Sequence, residues 1–274
     1  MCVPGCQEAV HSALSRRGFF RGAAAAGFAA TAIAPEIAEA RATSTTFTKT
    51  VDLTHVMSPD FPTFFGVPGI EMEKKFDLKK DGFNLYWWRI IEHAGTHLDA
   101  PIHFSEAGAT AEKIPADTLV VPLAVVDVAQ KAAQNADYLL TRDDLIAWEK
   151  KHRCLPDDCC VAMNSGWGPL LHTPKFAGRD DAGKNHTPGF HGETAHMLMT
   201  ERKVKGLGVD TLSLDLGVNT GPFPVHYSWL PSGRWGVECL ANLDTVPEKG
   251  AHLVLGGPKV VGGTGGPSRV IALI

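Results

Sequence analysis

Between residues 93 and 103 the chain reads His-Ala-Gly-Thr-His-Leu-Asp-Ala-Pro-Ile-His, three imidazoles and one carboxylate within eleven positions. A continuous helix does not suit this run, because Gly95 raises the backbone entropy cost and Pro101 has no amide donor. A strand, a turn and a second strand fit better. In extended chain, residues two apart point the same way, so His97 and Asp99 converge while a turn at Gly95 and Thr96 brings His93 back towards them. Imidazole nitrogen and carboxylate oxygen gathered in this way suit a divalent ion of borderline softness, with a coordination position left for water. An HxxxH pair also occurs on the helix of zinc proteases, where a Glu follows the first His; Ala94 stands in that place here. An isolated His is most often an ordinary hydrogen-bonded side chain. Four such donors together are not.

The first forty of the 274 residues read as a targeting segment. Ser15, Arg16, Arg17, Gly18, Phe19, Phe20 and Arg21 form a twin-arginine signature, residues 22–34 a weakly apolar stretch, and Ala38-Glu39-Ala40 a cleavage site. The expected division is a cleaved signal at 1–40 and a single domain at 41–274, located in the periplasm. An uncleaved membrane anchor is the rival reading, but no segment approaches the roughly 20 apolar residues that a bilayer needs. Arg16, Arg17 and Arg21 balance Glu8, Glu36 and Glu39, so cleavage leaves the formal charge at -4. That mild acidity, with no basic run, points away from nucleic acid and anionic membranes and towards a small-molecule partner. Of the cysteines that remain, Cys154 could bridge to Cys159 or Cys160 in an oxidising compartment, or the thiols could be buried and free. The absence of a CxxC pair argues against a zinc knuckle.

Along the rest of the chain, strands are expected at 51–55, 84–92, 119–128, 161–163, 207–216 and 270–274, with another strand start within 237–246. Pro122 marks an edge strand or a strand entrance. Thr141 caps a helix running to Lys151 with Leu145, Ile146 and Trp148 inward, and a second helix runs from Gly192 to about Arg202, with Glu193 at its positive end. Residues 61–68 and 179–186 read as loops. Alternating strands and helices without a repeat give an α/β or α+β class. Neither Gly-rich segment fits a nucleotide loop, and no GxSxG elbow occurs. His55, His186, His191 and His196 read as hydrogen-bonded or exposed side chains.

The pattern HxGTHxDxPxH, complete from His93 to His103, resembles the signature of the cyclase family of metal-dependent hydrolases, which includes bacterial kynurenine formamidase and isatin hydrolase. The resemblance extends to Val51-Asp52-Leu53-Thr54, Ser165-Gly166-Trp167, Pro188-Gly189-Phe190-His191-Gly192-Glu193, Asp210-Thr211-Leu212-Ser213-Leu214-Asp215 and Gly265-Gly266-Pro267-Ser268-Arg269-Val270. It departs at Asn164 and Ser165, where many members carry Arg-Thr. It implies an α/β fold, a cyclase-like swivelling β/β/α domain with a mixed, partly barrel-like sheet and flanking helices. It also implies a homodimer. Carried over residue by residue, it makes His93, His97 and Asp99 ligands of one ion, with Asp99 bridging to a second held by His226 and Glu238. His103 becomes the catalytic histidine, and Glu238 stands with it among the catalytic residues.

A bound divalent ion lowers the pKa of water from about 15.7 to around 7 and polarises a carbonyl, and an imidazole such as His103 can take and return the proton. The ion is expected to be Zn2+ or Mn2+, one or two per site. Phe64, Phe65, Trp87, Trp88 and Trp229 are candidates to hold a flat aryl substrate, with core packing as the alternative for each. The expected reaction is hydrolysis of the amide C-N bond of an aryl formamide such as N-formylkynurenine, or of a cyclic amide such as isatin. Hydrolysis of a lactone or another cyclic ester at the same site is a rival reading. A periplasmic metal- or ligand-binding protein without turnover is another, although mere binding does not require His103.

Overall fold

The apolar runs at 120–127 and 160–164 become the centre of a nine-stranded mixed sheet in the computed structural model, which describes residues 46–218 and 221–274. The twin-arginine segment and the expected mature start at Arg41 lie outside the described residues. In chain order the strands are β1 Thr50–Asp52, β2 Ile70–Phe76, β3 Leu85–Ile90, β4 His97–Asp99, β5 Val120–Asp127, β6 Leu139–Leu140, β7 Cys160–Asn164, β8 Gly189–Phe190, β9 Gly206–Val209, β10 Trp235–Glu238, β11 Lys249–Gly256, β12 Gly265–Pro267 and β13 Arg269–Leu273. The α-helices are α1 Leu78–Asp81, α2 Ala129–Gln134, α3 Arg142–His152, α4 Gly192–Thr200 and α5 Pro224–Trp229.

The large sheet curls into a half-barrel in the order β1-β13-β11-β5-β7-β9-β10-β4-β12. Its middle, β5-β7-β9-β10, is parallel and its flanks are antiparallel. Both faces are covered, as parallel strands require. On one face Ala124, Val126 and Met163 pack with Leu145, Trp148, Leu198 and Trp229 from the helices; on the other Val121, Leu123 and Val125 meet Leu253, Val237 and Val270. The split of alternate β5 residues between two cores is the period of two expected of a strand. Pro122 faces β11 alone, one position before β7 joins at Leu123, so the strand-entrance alternative holds. Thr141 and Asp144 form a reciprocal capping box at α3, and Glu193 lies in the first turn of α4.

Several expectations need correction. The strand expected at 207–216 stops at Val209, because the side chains of Thr211, Ser213 and Asp215 all bond local or neighbouring backbone and hold residues 210–217 irregular. The strand of 237–246 ends at Glu238, where Cys239 and then Asn242 adopt positive φ of 54° and 55°. The strand at 84–92 is β3, which pairs only with β2 in a hairpin apart from the main sheet. Cys154, Cys159, Cys160 and Cys239 are all free thiols, the last three buried. Burial pushes the Cys159 thiol up to about 12 and those of Cys160 and Cys239 up as well, which leaves them inert at neutral pH.

Candidate metal centre and cavity

Register assembles the site. β4 and β10 are antiparallel with His97 opposite Glu238 and Asp99 opposite Gly236, so the three candidate side chains share one face of two neighbouring strands. Gly236 is required by the crowding there: a Cβ would stand 3.3 Å from Asp99 Oδ2 and 2.7 Å from Leu214 Cδ1. His93 arrives from the bend before β4, where Gly95 has a φ of +67°. His226 comes from α5. Two donor groups result, His93-His97-Asp99 and Asp99-His226-Glu238, with Asp99 common to both.

Outer hydrogen bonds choose which nitrogen of each imidazole faces inward. His97 Nδ1 donates to the Gly95 carbonyl at 2.8 Å and His226 Nδ1 bonds Asp215 Oδ2 at 2.6 Å, which leaves both Nε2 atoms facing the carboxylates. The Thr264 hydroxyl donates to Glu92 Oε2 at 2.6 Å and so accepts from His93 Nε2 at 2.9 Å, leaving Nδ1 towards Asp99. Leu214 N donates to Glu238 Oε1 at 2.7 Å. Two inward atoms, His97 Nε2 and Asp99 Oδ2, are buried without any hydrogen-bond partner, a costly arrangement for a site with no further occupant. His97 Nε2 lies 3.4 Å from Asp99 Oδ1 and 3.4 Å from Glu238 Oε2, while His226 Nε2 lies 3.3 Å from Glu238 Oε1 and 3.6 Å from Asp99 Oδ2. These four separations are close to the ~3.4 Å between tetrahedral ligands on bonds of ~2.1 Å, whereas His93 Nδ1 and Asp99 Oδ1, at 2.7 Å, stand at hydrogen-bond distance.

The electrostatics are those of one coupled cluster. Burial pulls the His97 imidazole down, but the Asp99 and Glu238 carboxylates 3.4 Å from its Nε2 outweigh it and raise the pKa to about 10; His226 is raised likewise, with Asp215 as its first partner. Burial opposes the charge of Asp99, yet His226, His93 and His97 hold its carboxyl well below the usual range. His103 differs. It lies on a 3-10 turn, Pro101–Phe104, stacked on His93 at 3.6 Å between ring centroids, and burial pushes it down to about 4 despite the charge of Asp99. It is a neutral imidazole at neutral pH.

Above these groups opens a cavity of about 240 Å³ lined by Phe64, Phe65, Phe104, Leu212, Ser213 and Phe223, with His93, His97, His103, His226 and Glu238 as its polar part. Of the aromatic candidates, Phe64 and Phe65 line it. Trp87 and Trp88 lie on the β2-β3 hairpin, 64% and 63% exposed, outside it. Trp229 is in the core, its indole donating to the Trp235 carbonyl at 2.9 Å, and it anchors the end of the same helix that carries His226. Phe104, Phe223 and Asp215 were not foreseen. Phe104 adjoins the histidine run and Asp215 ends a quoted motif, but nothing in the sequence marks Phe223.

The family model Cyclase matches residues 51–216. The chain belongs to the cyclase family. Isatin hydrolase of Roseibium aggregatum is 31% identical over 241 residues, covering 82% of this chain and 91% of that protein. Kynurenine formamidase of Salinibacter ruber is 27% identical over 188 residues, 69% of this chain and 79% of that one. A solved isatin hydrolase bound to the product analogue thioisatinate superimposes with a TM-score of 0.77 at 30% identity, over 82% of this chain and 92% of the other. The chain is thus a hydrolase of the cyclase family, with its fold as expected.

Proposed function

We propose that this protein hydrolyses the amide C-N bond of a small planar aryl substrate, a cyclic amide of the isatin type or a formamide of the N-formylkynurenine type, with one or two divalent ions, Zn2+ or Mn2+. One observation carries the reading: His97, whose Nε2 is buried and unpartnered, lines a cavity walled by four phenylalanines, with the unpartnered Asp99 Oδ2 buried beneath it. His93, His97 and Asp99 would hold one ion, and Asp99, His226 and Glu238 a second. When bound, such an ion supplies an acidified water and polarises the scissile carbonyl.

The chain's own groups do the rest. Phe64, Phe65, Phe104 and Phe223 bracket a flat ring and exclude bulk water. His103, neutral and facing the cavity, takes the proton of the attacking water and returns it to the leaving nitrogen. Glu238 is held on both sides, by Leu214 N and by the two imidazoles, so its negative charge stays at the reacting centre. The test is turnover of isatin and N-formylkynurenine by protein reconstituted with Zn2+ or Mn2+. His103→Ala should lose about 10²- to 10⁴-fold in kcat with ion affinity retained; wild-type rates in that variant refute its role. Turnover of lactones alone would favour the cyclic-ester reading, and tight ion binding without any turnover the non-catalytic one.

The proposal includes a homodimer. The β2-β3 hairpin exposes Met72, Tyr86, Trp87, Trp88 and Ile90, and a two-stranded sheet is marginal by itself. Light scattering should show a dimer that Trp87→Ser with Trp88→Ser weakens. It also includes twin-arginine export, resting on Arg16 and Arg17; recovery of exported protein beginning at Met1 would remove the cleavage at 40.

A further inference from the structure

We propose that Arg179 and Asn185 act as positioning residues that set the selectivity of the cavity for planar rings, by clamping the backbone of the turn that carries Phe64 and Phe65. The inference rests on the aryl-substrate reading above. Residues 63–66 form a turn in which Gly66 N donates to the Thr63 carbonyl at 3.1 Å, and the buried Thr63 hydroxyl ties it to the Val67 carbonyl at 2.6 Å. Phe64 and Phe65 occupy its two central positions. Both line the cavity, and Phe64 also meets Phe223 edge-on at 6.0 Å, closing the wall.

This turn belongs to no strand or helix, so something else must fix its carbonyls. Arg179 Nη2 donates to the Phe64 carbonyl at 2.9 Å and to the Thr63 carbonyl at 3.2 Å. Asn185 Nδ2 donates to the same Phe64 carbonyl at 3.2 Å, and its Oδ1 accepts from Arg179 Nε at 3.1 Å. Asn185 is buried, and it is the β-bridge partner of Arg179, so the two donors form one rigid unit. Gly66 completes the fit. Its φ is +69°, and a Cβ there would lie 2.1 Å from Arg179 Nη1. Neither Arg179 nor Asn185 lines the cavity, so both act only through the phenylalanines. A planar guanidinium can serve Nε and Nη partners in one geometry, which an ammonium cannot, and small misplacements of a positioning wall are costly to binding.

The experiment compares wild type, Arg179→Met, Arg179→Lys and Asn185→Ala as full-length protein, by hydrogen exchange and by calorimetric titration of thioisatinate into the Zn2+-loaded form. Arg179→Met, at an exposed position, should speed exchange in peptides covering 61–68 but not those covering 93–103. It should weaken thioisatinate binding about tenfold while Zn2+ affinity stays at the wild-type value. Arg179→Lys should recover part of the loss, and on any substrate turned over KM should rise more than kcat falls. Wild-type exchange at 61–68, or wild-type thioisatinate affinity, in Arg179→Met overturns the clamp. If wild type itself does not bind thioisatinate, the aryl reading falls, and the exchange comparison still decides whether the clamp exists.

Discussion

Asp215 Oδ2 lies 2.6 Å from His226 Nδ1, and the same buried carboxylate accepts the backbone amides of Val225 and His226 at 2.8 and 3.0 Å. One side chain therefore fixes the start of α5 and the orientation of a ligand carried on it. Asp215→Asn keeps the shape but exchanges an acceptor for a donor. It should weaken ion affinity about 10- to 100-fold, with a smaller loss of stability, as measured by competition with a chromophoric chelator. Equal ion affinity in the variant would remove this role.

Ion removal should be felt as loss of stability, because a folded-state ligand at 100 times its Kd contributes about 2.7 kcal/mol. The effect should depend on pH with a defined sign. His97, raised to about 10, and His226, also raised, carry protons in the ion-free protein at neutral pH, and these must leave when an ion binds. Apparent ion affinity should rise as pH increases from 6 to 9, with protons released. Calorimetry in two buffers of different ionisation enthalpy counts them.

Asp144 offers a test remote from the site. Burial raises its carboxyl, but Lys131, Thr141 and Tyr138 outweigh that and lower it overall, with Tyr138 OH at 2.7 Å and the Thr141 amide at 2.8 Å. Its folded pKa lies below its unfolded one, so its contribution is complete above the unfolded value of about 3.9 and disappears as pH falls through the folded value. Asp144→Asn should cost about 1–3 kcal/mol at pH 7, and the difference from wild type should shrink in acid. Thermal melts from pH 7 to pH 3 measure this.

The candidate donors that the fold brings together were legible in the sequence, His93, His97 and Asp99 from one local run and His226 with Glu238 only from the resemblance. Five donors sit in one eleven-residue run and one His-Glu pair, and β4 with β10 needs only a two-residue alternation to align three of them. The ordering partners were not foreseen: Thr264 reaches His93 from 171 residues away, and Asp215, though only eleven residues before His226, carries no spacing that marks it as its partner. β11 was missed although Ala251, Leu253 and Leu255 alternate inward, and β2 was missed because its charged residues face solvent on both sides. Trp229 shows the limit of residue type as a guide: as the last residue of α5 it anchors that helix in the core and does not line the cavity.

β4, which carries the candidate ligands His97 and Asp99, pairs with β10 and β12, strands made from the C-terminal part of the chain. During synthesis the histidine run therefore emerges long before anything it can pair with. His93, His97 and Asp99 are thus synthesised before either strand that pairs with β4 exists. A chain cut short before β12 would retain all five candidate donors yet lack the strand that holds one edge of β4 in place.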